Sequence, residues 1–362
     1  MKVLALVTDG FGAGGGIARY NRDLMTALAQ SNGVNGVVML PRNGDPHGWS
    51  MPCLSQLAPA HGRLRWSIAA LRLAASRSFD VMFCGHLNAA PLAAFLARAT
   101  AKPLWLQVHG IEAWQRPHPL IRRAAESAHL ITSVSRYTRA RLLAWADIDP
   151  ARVRVLPNTF APGFAGDDRK AVAGKPAHLL ARHDLSARRI ILTVARMSAA
   201  ERYKGHDRII AALPAVLARH PDASYVIVGS GDDRPRIEQA AHAAGVAARV
   251  VFAGEVAADE LPDYFRLADV FAMPSTGEGF GIVFLEAAVC GLPVVAGNRD
   301  GSIDALADGR LGRLVDPDDA GQLVSALCDA LDGDIRPEPG AIDRFAPANF
   351  SRHVDDLVRH HI

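Results

Sequence analysis

Short apolar runs alternate with amphipathic stretches along nearly the whole chain, and this alternation limits the fold more than any other feature. The runs fall at residues 3–8, 36–40, 81–84, 104–108, 130–134 and 153–156, then at 190–195, 225–228, 250–253, 270–273, 293–296 and 313–315. Continuous apolar character predicts strands buried on both faces, as in a parallel sheet. Parallel neighbours need long crossovers, and the helical stretches between the runs supply them. The reading is α/β, with two doubly wound sheets of about six strands each. Residues 159–183 separate the two series, carry Ala, Gly, Pro and charge without a sustained period, and read as an interdomain linker. The expected division is 1–180 for a first domain including that linker, 181–341 for a second, and 342–362 for a terminal helix.

A chain of 362 residues accommodates two domains, and 49% hydrophobic with 21% charged residues is ordinary globular composition. No run of eighteen apolar residues is present to span a membrane. The opening MKVLALVTDG turns polar too soon for a signal peptide and reads as a first strand. Cys53, Cys84, Cys290 and Cys328 lack C-x-x-C spacing, which argues against a zinc site or a disulfide framework and fits a cytoplasmic location.

The net charge of +3 conceals an asymmetry. Residues 1–180 hold 21 Lys+Arg against 10 Asp+Glu, leaving 19 against 27 of the totals 40 and 37 for the remainder. Much of the excess is arginine: Arg63, Arg65, Arg72 and Arg77 beside Trp66, then Arg116, Arg122, Arg123, Arg136, Arg139 and Arg141. Such a face is either simply solvated or drawn to an anionic membrane surface or a phosphorylated acceptor. Nucleic acid is not expected, because no binding module accompanies the arginines. On a helix starting at Arg63, positions 63, 66 and 77 share one side while 65 and 72 share another. That spread predicts peripheral contact rather than sharply amphipathic insertion.

The segment 274–297, PSTGEGFGIVFLEAAVCGLPVVAG, combines a loop, a helix stopped by Gly291 and Pro293, and a strand. Gly279 and Gly281 keep side chains away from the helix start, where backbone N–H groups and the helix dipole suit a pyrophosphate. Glu286 lies about one and a half turns further on, at ribose distance. Glu278, just before the helix, suits sugar hydroxyls. Earlier in the chain, Gly14, Gly15 and Gly16 follow the first strand, where glycine permits close backbone approach to phosphate. A dinucleotide fingerprint needs an acid about twenty residues on; the chain has Pro41 and Arg42 there, which disfavours NAD and leaves NADP only through Arg42. Arg196 and Lys204 join a planar fork to a point charge, a pair fitted to a departing diphosphate. His109 sits at the carboxyl end of a strand, where open α/β sheets place ligands, with Glu112 nearby as a polar contact or a helix-start charge.

The two glutamates eight positions apart in a Gly-Phe-Gly loop, followed by E-A-x-x-x-G-x-P-V-V-A, resemble the E-x7-E motif of retaining GT-B glycosyltransferases of family 4. The resemblance implies two Rossmann-like parallel-sheet domains facing a central cleft, with the terminal helix crossing back to the first. It implies hexose transfer from a nucleotide diphosphate sugar by a front-face mechanism under domain closure, with no metal needed for chemistry. GDP-mannose is the expected donor and UDP-glucose the next. In the residues that match, Gly15 and Gly16 close over the diphosphate, His109 lies near the transferred sugar, and Arg196 and Lys204 hold the leaving group. Glu278, Gly279, Phe280, Gly281 and Glu286 form the donor loop, while Gly229, Gly254 and Val256 floor the nucleobase. Two departures stand out: Glu201 and Arg202 lengthen the Arg196–Lys204 loop, and NRDGS at 298–302 lacks one glycine of the usual Gly-Gly-x-x-E, with Asp304 as its acid. The expected acceptor is a glycan or a polyprenyl-diphosphate-linked lipid at the inner face of the cytoplasmic membrane. A nucleotide-sugar epimerase and a non-catalytic nucleotide-sugar-binding subunit are the alternatives.

Overall fold

A computed structural model describes residues 1–76, 78–164 and 174–362. The chain divides into two compact units, one of Met1–Thr159 with Phe345–Ile362 and one of Phe160–Arg344. The first boundary therefore falls well before the expected residue 180. Of the stretch read as a linker, residues 177–182 form a helix, and 165–173 lie outside the described residues.

The first unit runs β1 (Lys2–Asp9), α1 (Gly16–Gln30), β2 (Gly36–Asn43), β3 (Trp49–Met51), β4 (Leu54–Gln56), α2 (Arg63–Ser76), β5 (Val81–Cys84), α3 (Ala90–Ala99), β6 (Leu104–Val108), α4 (Pro119–Glu126), β7 (Leu130–Ser133), α5 (Arg136–Leu143) and β8 (Val153–Val155). Its sheet has the order β3-β4-β2-β1-β5-β6-β7-β8. It is parallel apart from the β3–β4 pair. The sheet is thus wider than the six strands expected. The two additions are three residues each, WSM and LSQ, and the turn between them puts Cys53 at φ 62. Elements this short leave no apolar run to read.

Helices α2, α3 and α4 pack into one apolar cluster with β1, β5 and β6. Within α2, Trp66, Ala70 and Ala74 repeat at four-residue spacing and are buried. The Trp66 indole N–H donates to the Leu40 carbonyl at 3.2 Å. Trp66 is therefore a core residue rather than a neighbour of surface arginines. Arg63, Arg65 and Arg72 are exposed, and Arg77 lies outside the described residues.

The second unit runs α6 (Ala177–Arg182), β9 (Arg189–Val194), α7 (His206–Arg219), β10 (Ala223–Val228), α8 (Arg234–Ala243), β11 (Val250–Gly254), α9 (Leu261–Leu267), β12 (Val270–Met273), α10 (Ile282–Val289), β13 (Val294–Gly297), α11 (Ser302–Ala305), β14 (Arg313–Val315) and α12 (Ala320–Asp332). Its parallel sheet has the order β11-β10-β9-β12-β13-β14, so the connection direction reverses beside β9. Loops leaving the carboxyl ends of strands flanking such a reversal form the ligand-binding crevice of open α/β sheets. Arg196 and the 274–281 loop follow the ends of β9 and β12, while Gly229 and Gly254 stand at the carboxyl ends of the neighbouring strands β10 and β11.

The last helix, α13 (Pro347–His361), starts later than the expected 342 because a 3-10 turn at Ala341–Phe345 precedes it. It belongs to the first unit, packing on α1 with the Phe350 ring edge-on to Tyr20 at 6.1 Å. The Thr159 hydroxyl donates to the Phe345 carbonyl at 2.7 Å, tying the two ends of that unit together.

All five tryptophans lie between residues 49 and 145, so intrinsic tryptophan fluorescence reports on the first unit alone. Phe350→Ala empties a buried position between α13 and α1, a change that costs about 3–5 kcal/mol. Tryptophan-detected urea unfolding is expected to show a lower midpoint in this variant. An unchanged midpoint would mean that α13 contributes little to the first unit.

Candidate functional site

In the second unit the sheet brings together loops far apart in sequence. Lys204 and Glu278, separated by 74 positions, form an ion pair at 2.5 Å with side chains only 14% and 12% exposed. Burial alone would depress the ammonium pKa, but the adjacent carboxylate outweighs it and holds Lys204 above its ordinary range. The Tyr203 ring lies 5.3 Å from the Lys204 ammonium and packs against Gly277, where a Cβ would meet the ring at 2.5 Å. Burial also pushes the Tyr203 phenol up to about 12. The Thr276 N–H donates to the Tyr203 carbonyl at 3.0 Å, so the lysine loop and the glutamate loop are joined along their backbones.

Arg196 differs. Its side chain is 74% exposed and paired with Glu201. The extra Glu201 of the lengthened loop thus has a definite partner. Exposed pairs are worth little, so the guanidinium is easily redirected to a bound anion.

The glutamate loop ends at Gly281, which adopts φ 87 as the residue before α10. Gly279 lies in the same loop, and Phe280 is buried beneath it. Glu286 is the fifth residue of α10 and is largely buried rather than surface-facing. On the other side of β9, Gly229 follows β10 with φ 135, and a Cβ there would meet the Ala195 carbonyl at 2.2 Å. That close approach lets the Arg196 loop lie directly on the β10 loop, joined by the Met197 N–H to Ser230 carbonyl bond at 2.9 Å. Gly254 ends β11, its carbonyl accepts the Gly229 N–H at 2.7 Å, and Val256 follows at half-buried exposure. The Arg234 guanidinium lies 5.1 Å from the Phe252 ring at the same edge.

Sequence reasoning missed two supports in this unit. His206 is buried, with Nε2 3.4 Å from the Arg196 carbonyl and Nδ1 3.3 Å from the Tyr225 hydroxyl. That hydroxyl in turn donates to Thr193 at 2.9 Å. Burial lowers the imidazole to about 4. The other is Asp300, fully buried behind the glutamate loop and held above the ordinary carboxylate range by desolvation. The missing glycine at 298–302 was the available signal for Asp300. For His206, nothing separated it from an ordinary helix-start residue.

In the first unit, Gly15 precedes α1 with φ 91 and Gly16 begins that helix. His109 follows β6, with Nε2 2.9 Å from the Gly85 carbonyl. A carbonyl only accepts, so Nε2 bears the proton and Nδ1 is the acceptor. Burial lowers the His109 pKa, favouring this neutral form. Glu112 accepts the His109 backbone N–H at 2.5 Å and so serves the turn itself. Tyr20 stands edge-on to His109 at 5.2 Å and donates to Gln107 at 2.9 Å, within a buried chain that continues through Thr132 to the Trp105 indole. After β7, Ser135 caps the start of α5 by accepting the Thr138 N–H.

Comparison with known proteins settles the family. The model for "Glycosyl transferases group 1" matches residues 188–333, and that for "Glycosyltransferase Family 4" matches residues 14–163. The chain is 34% identical over 274 residues to the GDP-mannose-dependent alpha-(1-6)-phosphatidylinositol monomannoside mannosyltransferase of Mycolicibacterium smegmatis, covering 72% of this chain and 69% of that protein. The chain belongs to glycosyltransferase family 4. A second family 4 relative, the enzyme of the same name from Mycobacterium tuberculosis, is 35% identical over 288 residues, 75% of this chain and 72% of its own. The fold also matches the crystal structure of Anabaena Alr3699/HepE in complex with UDP and glucose, with TM-score 0.78, 18% identity and 99% of each chain covered. This family 4 chain is accordingly a hexosyltransferase with the GT-B architecture.

Two histidines whose pKa is depressed, His206 and His109, carry a pH consequence. A histidine whose folded pKa is depressed resists protonation in the folded state, so stability is lost as pH falls below the unfolded value of about 6.5. For His206, a folded pKa of about 4 corresponds to about 3 kcal/mol lost by pH 4. His109 acts in the same direction. Thermal melts between pH 7 and pH 4 should show a falling Tm whose slope flattens in His206→Gln. An equal slope in both proteins would place the acid sensitivity elsewhere.

Proposed function

We propose that this chain transfers mannose, with retention of anomeric configuration, from GDP-mannose to a hydroxyl of a lipid-linked acceptor, without a metal in the chemical step. The Lys204–Glu278 pair carries the reading. It puts a cation and a sugar-facing carboxylate side by side at the start of α10, where glycine-flanked N–H groups and the helix dipole favour diphosphate. Lys204 has three donors and spends one on Glu278, which leaves two for phosphate oxygens. Arg196 swings from Glu201 to the same diphosphate. Both cations gain most when the sugar–oxygen bond breaks and charge collects on the leaving group. Glu286 takes the ribose hydroxyls, Glu278 the sugar hydroxyls, and the leaving oxygen accepts the acceptor's proton on the same face. The names of the two mannosyltransferase relatives support GDP-mannose and a phosphatidylinositol-type acceptor over UDP-glucose.

The experiment pairs GDP-mannose and UDP-glucose with a short-chain phosphatidylinositol mannoside and measures product. GDP-mannose should be used at least tenfold better. Lys204→Ala should lower kcat more than it raises donor KM, and EDTA should leave turnover intact. Preference for UDP-glucose would overturn the donor, and metal-dependent turnover would overturn the metal-free step.

The same reading places the protein at an anionic membrane surface through its first unit. Besides its buried stripe, α2 bears an exposed one at Leu64, Ile68 and Leu71, with Leu64 75% exposed. Arg65 and Arg72 flank that stripe, and Asp80 is the single acidic residue between positions 46 and 111. Phe95 on α3 and Leu120 on α4 are exposed on helices of the same layer. Apolar side chains bounded by cations suit the headgroup and acyl boundary of an anionic bilayer. Each arginine contributes about 1 kcal/mol there and each inserted leucine about 1.5–3 kcal/mol. The arginines alone support peripheral contact without sharply amphipathic insertion; the exposed stripe of Leu64, Ile68 and Leu71 adds insertion to this proposal.

In sedimentation with phosphatidylserine-containing vesicles, binding should fall as salt rises and should be lost in Leu64→Gln/Ile68→Gln/Leu71→Gln. Retained binding in that variant, or equal binding to neutral vesicles, would remove the stripe from membrane contact. A concentration-dependent dimer that the variant abolishes would assign it to self-association instead.

A further inference from the structure

Both polar groups of the Glu278 peptide are taken by residues of the 298–302 loop. The Glu278 N–H donates to Asp300 Oδ2 at 2.7 Å, and the Glu278 carbonyl accepts the Gly301 N–H at 2.8 Å. The approach is so close that a Cβ on Gly301 would meet the Gly279 carbonyl at 2.0 Å. Asp300 is itself held on every side. Its Oδ2 also accepts the Ser275 hydroxyl at 2.8 Å, and its Oδ1 accepts the Ser302 N–H at 2.9 Å. The Ser275 and Ser302 hydroxyls lie 3.2 Å apart, closing the ring of contacts around the carboxylate.

A fully buried carboxylate is costly to maintain, and these hydrogen-bond partners are all uncharged groups. A buried acid held in this way is expected to do something that a neutral residue could not. We infer that Asp300 is the positioning residue for Glu278, fixing the backbone of the glutamate loop so that its carboxylate meets Lys204 and the donor sugar together. A glycine, as in the usual Gly-Gly-x-x-E pattern, has no side chain to receive the Glu278 N–H. Here the side chain of residue 300 takes over the task. Asp300 clamps the main chain of Glu278 from one side and Lys204 holds its side chain from the other. Removing the first should leave the ion pair chemically intact but loosely aimed, and a loosely aimed group loses turnover before it loses binding.

This inference rests on Glu278 facing the donor sugar, and a double-mutant cycle separates the two claims. Asp300→Asn, Glu278→Gln and the double variant are compared for kcat, donor KM and GDP affinity by calorimetry. Asp300→Asn keeps the shape but turns one acceptor into a donor opposite an N–H. It should lower kcat by about tenfold or more with GDP affinity changed less than about threefold, because Glu286 and the helix start are untouched. If Asp300 acts through Glu278, the double variant should match Glu278→Gln within about twofold. Losses that multiply would overturn the positioning role while leaving Glu278 in the site. No effect of Glu278→Gln on kcat would overturn the donor-facing reading, and the Asp300 role with it. Should Asp300→Asn fail to fold, Ser275→Ala takes its place: it removes one donor from the carboxylate, and its smaller kcat loss should likewise vanish in the Glu278→Gln background.

Discussion

The ion pair between Lys204 and Glu278 is the contact around which the loops of the second unit are arranged. Two partly buried charges at 2.5 Å are stable only where geometry is good and the surrounding polar groups are satisfied. The neighbouring residues meet that condition from several directions. Tyr203 covers the lysine and packs on Gly277, Gly205 lets the lysine loop run against the Pro274 carbonyl, and Asp300 and Gly301 secure the Glu278 peptide. Below them, His206, Tyr225 and Thr193 connect the Arg196 carbonyl to the sheet interior. The site is thus supported by buried polar chains whose members each have partners, the condition under which such networks stiffen a structure.

The first unit solves a related problem differently. His109 is kept neutral by burial and fixed in one tautomer by the Gly85 carbonyl, which leaves Nδ1 as its acceptor. Tyr20 packs against it and also against Phe350, so the terminal helix α13 contributes to the setting of a residue more than two hundred positions earlier. On the outer side of the same unit, α2 buries one stripe and exposes another. The buried stripe follows from the core that Trp66, Ala70 and Ala74 join. The exposed stripe of Leu64, Ile68 and Leu71 has no such structural cause, and exposed arginines lie beside it.

Much of this was legible in the chain itself. The twelve apolar runs all became strands, and Gly15, Gly229, Gly254 and Gly281 all adopt positive φ where loops leave strands or enter helices. The E-x7-E spacing, read with its glycines, pointed to the family to which the chain belongs. These features are local: periodicity, turn chemistry and spacing act over a few residues. The misses were of other kinds. Strands β3 and β4 were too short to leave a pattern, and Trp66 was counted with its arginine neighbours although its side chain turns inward.

What the sequence determined by itself was the order of strands and helices, the loops that carry chemistry, and the residue types placed in them. Only the tertiary structure decided which of those residues meet. That Glu278 faces Lys204, that Arg196 instead takes Glu201, and that Asp300 is buried beneath the glutamate loop depend on β12 lying between β9 and β13. Pairings across 74 or 22 positions leave no periodic trace, because they are fixed by how strands line up in the sheet and not by the residues beside them in the chain.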